Sequence, residues 1–494
     1  MAGKGHQNDH VDEIQACEEV NASQLEKSQA SSNSSQNGVE RDWTEEEERE
    51  IVKKADRRVF PMLCIVMGLS LLDRTNISSA YIAGLAVDLR LDIGARYSIA
   101  LLIFFLPYAL FELPSQVVLK KVGARFWLGF LITAWGACVL GMGFIHDWKS
   151  LTVLRAFLGL FEGGLLPGGI YIIGSWYRQF ETASRVSWFF SLSLLASGFG
   201  PILAYAFSLI RVGDGQYTRG WRWIFIVEGA VTVAAGLAAP FFLIEFPEKV
   251  KFLTERQKHI AVHRVSLEKN GEASKPLTFM QSLRLLKDWH ILFFSLQYFV
   301  AVSSVSSLGS FMAIILRQGM HFSYAKAQLL SSPPYVFAII MSITFAWVSD
   351  KIKMRWPILI FQSLVALIGF FIIMYAKLPG VRYFGIFLAC FGSQANIPGT
   401  LAYANNQTAK VQKRGVVAAA MISMGAAGGV TGSTIFRSQD APAYLPGIWA
   451  TIGMQFAYCV ITLSLSMWFR RQNRLADEGK KAVLEGVEGF RYAP

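Results

Sequence analysis

Long apolar runs separated by short polar stretches recur along the chain from about residue 59 to residue 470. A helix needs about 20 predominantly apolar residues to cross the hydrocarbon core of a bilayer. Twelve runs have the required length and predict twelve membrane-spanning helices. The predicted spans are 59–81, 97–119, 126–146, 150–177, 186–210, 223–244, 289–314, 327–348, 357–376, 382–404, 415–436 and 447–469.

The polar stretches outside these spans divide the rest of the chain. Residues 1–42 are rich in Ser, Asn, Gln and Glu, so they are predicted to form a disordered cytoplasmic tail. Residues 43–58 predict a short amphipathic cytoplasmic helix capped by Thr44, because acidic residues precede basic ones. The remaining predicted segments are the six-helix bundles 59–244 and 288–470, the central cytoplasmic loop 245–287 and a cytoplasmic tail 471–494.

Composition agrees with a membrane protein. The 494 residues are 53% hydrophobic and 13% aromatic, more than a soluble domain normally carries. The formal net charge of +12 does not indicate nucleic-acid binding, because Lys and Arg occur in short clusters between the spans. Nine of them lie in the central loop, which places this loop and both termini in the cytoplasm. The five cysteines form no CxxC pair and mostly lie in apolar spans, so neither a metal site nor a disulfide framework is indicated. No cofactor is expected.

The two halves of the chain repeat a basic loop motif. KKVGAR follows the second span and DKIKMR, which begins with Asp350, follows the eighth. Lys121 and Arg125 therefore align with Lys351 and Arg355 at a constant offset. Two six-span bundles in parallel repeat are the architecture of the major facilitator superfamily, in which substrate binds between the halves near the midplane. The sequence predicts this all-α membrane fold.

Charged residues inside the predicted spans mark a candidate site in the first half. The stretch LLDRTNISSA places Asp73 and Arg74 well within the membrane, where a charge costs about 3 kcal/mol and usually marks a substrate or ion path. Arg155 and Glu162 in span four are seven residues apart. This spacing is close to two helical turns, so both side chains project from one face and can share a polar network.

Arginine and buried carboxylates suit different tasks in such a site. Arginine stays charged and can hold a carboxylate through two parallel hydrogen bonds, whereas a buried carboxylate can be driven toward protonation. We therefore predict that Arg74 binds an anionic substrate, and that Asp73 and Glu162, with Arg155, couple transport to protons. A structural ion pair with Asp73 is the alternative for Arg74, and one with Glu162 is the alternative for Arg155.

Other polar residues belong to the same prediction. Glu112 and Glu228 either face the cavity or hold helices together. The second half carries no comparable charges, so it is expected to add neutral hydrogen bonds to the substrate. The residues predicted to bind substrate beside Arg74 are Asn76, Gln297, Tyr298 and Asn396. Close helix packing is predicted at Gly159, Gly163 and Gly164.

Three stretches carry a resemblance to a known family. DRTNISSA, LRAFLGLFEGGLLPG and GWRWIFIVEG resemble the anion:cation symporter family of the major facilitator superfamily, in particular the fungal allantoate, nicotinate and pantothenate permeases. The resemblance extends over residues 43–470. It implies that Arg74 binds substrate carboxylate, and that Asp73 and Glu162 take part in proton coupling. Departures from the family pattern at Leu71 and at Ser78–Ser79 line the implied cavity and concern the identity of the substrate.

Several functions are compatible with this pattern. The first interpretation is a monomeric, proton-coupled importer of a small organic anion, such as a carboxylate vitamin or a nitrogen-rich acid, in the plasma membrane. The alternative is a proton antiporter that exports a metabolite or toxin, which SGFGPILA in span five favours. A non-transporting nutrient sensor would be expected to carry a longer signalling tail. No nucleophile, base and orienting group occur at recognisable spacing, so the chain is not expected to be an enzyme.

Overall fold

The computed structural model describes most of the chain. The described residues are 43–212, 220–250, 252–271, 284–286, 288–352, 354–408, 411–437, 440, 444–478, 484–485 and 490–493. The predicted disordered tail, residues 1–42, lies outside the described residues. Residues 272–283 of the predicted central loop also lie outside them.

The N-terminal half consists of a short leading helix and the helices of the first six predicted spans. Helix α1, Glu45–Arg58, leads into α2, Phe60–Ala80, which continues through a π-helical turn at Tyr81–Leu85 and a short turn at Ala86–Asp88. The following helices are α3 (Arg96–Val122), α4 (Ala124–Met142), α5 (Trp148–Glu162), α6 (Leu165–Trp176), α7 (Gln179–Ser208) and α8 (Gly220–Phe242). Together α5 and α6 form the predicted fourth span.

The C-terminal half contains six long helices. The central loop carries a helix of its own, α9 (Glu255–Gly271), which follows a 3-10 turn at Pro247–Lys249. The long helices are α10 (Trp289–Ile314), α11 (Tyr324–Ile352), α12 (Trp356–Tyr375), α13 (Pro379–Asn406), α14 (Val411–Ile435) and α15 (Leu445–Asp477), and α10 ends in a π-helical turn at Ile315–Gly319. Hydropathy did not indicate α9 or the last turns of α15, because both are polar.

Within the described ranges, eight helices are long and apolar enough to cross a bilayer. The α5–α6 pair counts as one of them, and α3 makes a ninth if its two segments, which meet at a bend before Pro114, count as one span. The remaining helices are α2, α7 and α13. Every predicted span nevertheless corresponds to a long helix or to the α5–α6 pair.

Glycines allow α5 to pack closely against α3. Gly159 lies against the backbone carbonyl of Phe104, and a Cβ at this position would overlap the carbonyl oxygen. One turn further, a Cβ on Gly163 would lie 2.6 Å from the carbonyl oxygen of Tyr108. Small residues at helix contacts are typical of bundles that pack in a bilayer. The predicted packing role of these glycines is confirmed, and the contact fixes α3 next to the end of α5, where Glu162 lies.

Helix α1 begins at the residue that the sequence predicts. The side chain of Thr44 accepts a hydrogen bond from the backbone N–H of Glu47 at 3.3 Å, and the Glu47 carboxylate accepts one from the backbone N–H of Thr44 at 3.1 Å. This reciprocal pair is a capping box. Arg256 of α9 also donates to the Glu47 carboxylate at 2.9 Å, so the cap of α1 is joined to the helix of the central loop.

Ion pairs gather α1, α9 and the start of α7 at one end of the N-terminal bundle. The Arg185 guanidinium donates to both carboxylate oxygens of Asp56, at 2.6 and 2.7 Å. Arg264 of α9 is buried and pairs with Glu48 at 3.3 Å and with Glu181 at 2.8 Å. We call this end the loop side and the opposite end of the spans the far side.

The last described residues fold back onto the C-terminal bundle. The backbone of Tyr492 exchanges two hydrogen bonds with the Asn473 side chain, at 2.8 and 2.9 Å. The Tyr492 ring lies 4.6 Å from the ring of Phe469. Gln407 exchanges a second pair of hydrogen bonds with the backbone of Ala493. These residues of the predicted tail are therefore attached to α13 and α15 on the loop side.

Candidate functional site

Arg74 forms an ion pair with Glu162. Its Nη2 and Nε atoms lie 2.6 and 3.2 Å from Oε1 of Glu162, and the Ser70 hydroxyl donates to the same oxygen at 2.6 Å. The alternative prediction, a structural ion pair of Arg74 with Asp73, is therefore wrong. The reason is geometric, because adjacent residues on a helix do not face the same neighbour. Ser70 lies one turn before Arg74, and this spacing is the signal that could have identified it.

Arg74 is also the solvent-accessible member of this pair. Its side chain is 27% exposed, whereas that of Glu162 is fully buried. The rings of Phe104 and Tyr108 on α3 lie 4.9 and 5.1 Å from the guanidinium carbon, within the range of a cation–π contact. The sequence analysis missed both rings, although their four-residue spacing places them on one face of α3. The guanidinium is thus held by Glu162 and by two rings, while part of the Arg74 side chain stays exposed.

Asp73 points into the N-terminal bundle and away from Arg74. Its Oδ2 atom accepts hydrogen bonds from the Trp135 indole N–H at 3.1 Å and from the Thr232 hydroxyl at 2.9 Å. The residue is 1% exposed, and its Oδ1 atom has no hydrogen-bond partner within the part of the chain that the structure describes. Both donors that hold Asp73 in place are neutral groups.

The close crossing of α4 and α8 brings these two donors to Asp73. A Cβ on Gly136, the residue after Trp135, would lie 2.7 Å from the backbone nitrogen of Val233. A Cβ on Gly236, four residues after Thr232, would lie 2.5 Å from the backbone of α4. The sequence analysis missed both donors. Glycines on two apolar spans are the signal that could have indicated this crossing.

Arg155 lies in the same buried cluster without the predicted ion pair. It is 1% exposed, and its Nε and Nη2 atoms have no hydrogen-bond partner among the described residues. Its guanidinium is close enough to Asp73 and Glu162 for their charges to interact. The alternative in which Arg155 is the structural ion-pair partner of Glu162 is wrong, because Arg74 takes that place. Seven residues rise about 10 Å along a helix, so the two side chains leave α5 at different depths.

Asn76 and Glu228 bind each other between α2 and α8. The Asn76 Nδ2 atom donates to Oε2 of Glu228 at 2.8 Å. The two residues are 4% and 6% exposed. Glu112 lies apart from this contact on α3 and is partly exposed. In this conformation the side-chain amide of Asn76, which was predicted to bind substrate, is occupied by a carboxylate of the protein.

The predicted residues of the C-terminal half are more deeply buried than Arg74. Gln297 donates to the Thr462 hydroxyl at 2.6 Å, and Asn396 donates to the Ser363 hydroxyl at 2.9 Å. Both Gln297 and Asn396 are fully buried, and Tyr298 is 9% exposed. Gln297 and Asn396 are therefore not accessible to a substrate in this conformation.

The repeated loop motifs occupy equivalent positions but make different contacts. Arg355 donates to the Asp350 carboxylate at 2.9 Å within its own motif. Arg125 instead donates to a backbone carbonyl of α8. Lys121 and Lys351 are both exposed. The repeat therefore preserves the position of the basic groups more than their partners.

The two halves are joined on the far side. Described residues of the two halves form hydrogen bonds there from Tyr97 to Ser310 at 3.1 Å, Gln328 to Ser79 at 3.0 Å, Tyr324 to Ser208 at 2.6 Å and Ser78 to Gly309 at 3.5 Å. The Tyr97 ring also packs edge-on against Phe311 at 5.4 Å. These contacts close the far side of the molecule.

Comparison with known proteins identifies the family. Residues 63–433 match the family model described as Major Facilitator Superfamily. The chain belongs to the major facilitator superfamily. This membership confirms the predicted fold of two six-helix bundles and the expectation that the chain is a transporter and not an enzyme. The protein is an integral, multi-pass membrane protein.

Fungal members of the superfamily resemble this transporter over most of its length. The MFS transporter prlL of Fungal sp. (strain NRRL 50135) is 32% identical over 457 residues, which cover 90% of this chain and 91% of the relative. The high-affinity nicotinic acid transporter of Saccharomyces cerevisiae is 28% identical over 439 residues, which cover 89% of this chain and 80% of the relative.

Solved superfamily structures share the fold. The xylose transporter XylE from E. coli in its inward-open conformation has a TM-score of 0.63 at 14% identity, over 81% of this chain and 94% of that chain. A bacterial homologue of the lysosomal transporter Spinster, inward-facing and unoccupied, has a TM-score of 0.61 at 14% identity, over 86% of this chain and 96% of that chain. At this identity the similarity concerns the fold alone.

Removing two of the far-side hydrogen bonds should favour a conformation that is open on that side. In a Gln328→Leu and Tyr97→Phe double variant, the loss of about 2 kcal/mol would shift the equilibrium roughly 30-fold. Spin labels at Asp92 and Lys377, which are exposed on the far side of the two halves, would report a longer distance by pulsed electron paramagnetic resonance.

The matched control is Tyr375→Phe, because Tyr375 is an exposed tyrosine of α12. This variant loses a hydroxyl but no contact between the halves, so its distance distribution should equal that of the wild type. An unchanged distribution in the double variant would show that these hydrogen bonds do not hold the far side closed.

Proposed function

We propose that this transporter carries a small organic anion, a carboxylate vitamin or a nitrogen-rich organic acid, together with protons. The observation that carries the proposal is the partly exposed side chain of Arg74, whose ion-pair partner Glu162 is fully buried. A substrate carboxylate can replace Glu162 at this guanidinium through two parallel hydrogen bonds. The similarity to a nicotinic acid transporter supports an acid as the substrate. So does the resemblance to anion:cation symporters.

Competition for Arg74 would couple the anion to a proton. When a substrate carboxylate binds Arg74, Glu162 loses its counter-charge in a buried site, and a buried charge without a partner is unfavourable. Proton binding removes this cost. By linkage, protonation of Glu162 also releases Arg74 for the substrate, so each ligand favours the binding of the other.

Asp73 and Arg155 have separate roles in this proposal. Asp73 accepts two neutral hydrogen bonds on one oxygen, and its other oxygen meets no donor among the described residues, so it can bind a proton next to the pair of Arg74 and Glu162. Arg155 adds a buried positive charge that acts on both carboxylates. This charge limits how many protons the two acids hold at once.

We further propose that the loop side faces the cytoplasm and that the transporter imports its substrate across the plasma membrane. The concentration of Lys and Arg in the central loop supports this orientation. The far side then faces the exterior, and the described conformation is closed to the exterior.

Substitution of Arg74 tests anion recognition. Arg74→Ala should weaken binding of the transported anion at least about 30-fold, since truncation of one partner of a buried charge pair costs about 2 kcal/mol or more. Arg74→Lys should lie between this variant and the wild type, because a point charge loses the bidentate geometry. Uptake of a panel of labelled carboxylates, including nicotinate, by permease-deficient cells would identify the anion, and binding to purified protein would give its affinity.

Arg49→Ala is the control for Arg74→Ala, since Arg49 is an exposed arginine of α1 with 82% of its side chain accessible. It should leave transport unchanged. An Arg74→Ala protein that binds the anion with wild-type affinity would exclude the role assigned to Arg74.

Substitution of the carboxylates tests proton coupling separately. Asp73→Asn and Glu162→Gln should each abolish accumulation against a gradient while sparing binding or exchange, because each variant keeps a polar side chain but loses a proton site. Accumulation under an imposed pH gradient and exchange without one would be measured in proteoliposomes. Glu50→Gln on α1, where the glutamate is exposed, is the control. Undiminished, pH-dependent uphill uptake in both single variants would refute the coupling role.

Cysteine labelling tests the orientation. A membrane-impermeant maleimide applied to intact cells should modify Asp92→Cys on the far side but not Glu255→Cys on α9, although both positions are exposed in the structure. The wild type, with its five native cysteines, gives the background. Modification of Glu255→Cys in intact cells would place the loop side outside and contradict the orientation.

A further inference from the structure

Glu228 is a buried carboxylate that the proposed coupling mechanism does not use. It lies on α8 four residues before Thr232, so the two side chains project from one face of that helix. On α2, Asp73 and Asn76 are three residues apart and face the same neighbour. Asp73 accepts from Thr232 at 2.9 Å, and Asn76 donates to Glu228 at 2.8 Å. The two hydrogen bonds join α2 to α8 about one helical turn apart.

Three of the four residues in these two hydrogen bonds also contain a buried acceptor atom that lacks a donor. The atoms are Oδ1 of Asp73, Oδ1 of Asn76 and Oε1 of Glu228, and none has a hydrogen-bond partner among the described residues. Each of the three residues is more than nine-tenths buried. A buried acceptor without a partner costs about 1–3 kcal/mol. A protonated carboxyl group carries an O–H donor, so a proton on Glu228 supplies the kind of group that the cluster lacks.

The surrounding charges also favour a neutral Glu228. The titratable side chains of the elements packed against α8 include Asp73 on α2, Cys138 on α4, Tyr81 in the π-helical turn and Tyr205 on α7, and α8 itself carries Arg222. Asp73, which makes the neighbouring hydrogen bond, has a charge of the same sign as Glu228 when both are ionised. In the described part of the chain, no ion pair reaches either carboxylate, in contrast to Glu162 with Arg74. Two buried carboxylates of like charge cannot both remain ionised at low cost.

We propose that Glu228 is a further proton-binding site of this transporter, beside Glu162 and Asp73, and carries a proton in the conformation that is closed on the far side. The proton makes Glu228 a hydrogen-bond donor next to Asp73 and Asn76. It relieves the repulsion between the two acids and holds α2 against α8 with Asp73 in place. Glu228 is thus a positioning residue that acts through Asp73. For its effect on transport, the inference rests on the proposed function, but protonation of Glu228 can be measured without any substrate.

Infrared spectroscopy of the purified, full-length protein tests the proposal directly. A protonated carboxyl group has a C=O stretching band separate from the bands of carboxylates and amides. The wild type should show this band at neutral pH and lose it as the pH rises. Glu228→Gln should lack the component assigned to this one carboxyl group, whereas Thr232→Val, which removes a hydrogen bond to Asp73 but leaves Glu228, should retain it.

A second measurement follows the effect on transport. Exchange of the carboxylate that the cells accumulate should fall at alkaline pH in the wild type, because loss of the proton leaves two adjacent like charges. Glu228→Gln imitates the protonated state, so its alkaline decline should be smaller than that of the wild type, and the decline that remains should come from Glu162. Glu228→Asp keeps a proton site, so it should keep the alkaline decline, although its overall rate of exchange should be lower. It also provides the spectroscopic test if Glu228→Gln does not fold.

The outcomes separate this inference from the proposed function. Identical carboxyl bands in the wild type and in Glu228→Gln at every pH would overturn the inference. An alkaline decline that persists unchanged in Glu228→Gln would also overturn it. So would a requirement of exchange for Na⁺ that is present in the wild type and absent in Glu228→Gln, because Glu228 would then bind Na⁺ in place of a proton. If a pH gradient does not drive uptake by the wild type, the proposed proton coupling fails. The spectroscopic test of Glu228 is independent of that result, because it needs neither a substrate nor a gradient.

Discussion

Hydrocarbon offers no partner to a charged side chain, so the charges of the N-terminal bundle have to be accommodated by the bundle itself. The ion pair of Arg74 with Glu162 is the central consequence of this constraint. It requires Arg74 of α2 and Glu162 of α5 to lie at one depth, with the rings of α3 against the guanidinium. Backbone-to-backbone packing at Gly159 makes that arrangement possible. The glycines, the aromatic residues and the ion pair are therefore parts of one solution to the same problem.

The sequence Asp73–Arg74 divides the charges between two environments. Adjacent residues on a helix leave its surface in different directions. Arg74 is accessible and paired with a carboxylate, whereas Asp73 is buried among neutral donors. Under the proposed mechanism, Arg74 can bind a substrate while Asp73 binds only a proton. A single turn of α2 thereby carries the groups that bind both ligands, and the proposed proton on Glu228 of α8 lies next to Asp73.

The general architecture could be predicted from the sequence, but the pairing of the buried charges could not. Each of the twelve stretches that hydropathy indicated corresponds to a long helix or to the α5–α6 pair, because burial in a bilayer imposes both a length and an apolar composition. The spacing of Arg155 and Glu162 fixed their common face on one helix, yet it carried no information on the rotation and depth of α2. Consequently both alternative ion pairs were wrong. Trp135 and Thr232 were missed for the same reason, since each lies on another span and only the glycine-mediated crossing of α4 and α8 brings them to Asp73.

The two bundles meet the constraint of the bilayer in different ways. In the C-terminal half, buried hydrogen bonds such as those of Gln297 and Asn396 join neutral groups, so they depend little on pH. Under the proposed mechanism, the acids of the N-terminal half change their hydrogen-bond partners when a proton or an anion binds. If the far-side contacts break when the transporter opens on that side, bound ligands act on this movement through the N-terminal half. The asymmetry of charge between two repeated bundles is then what couples ligand binding to movement, because a neutral half gains or loses little from the same proton.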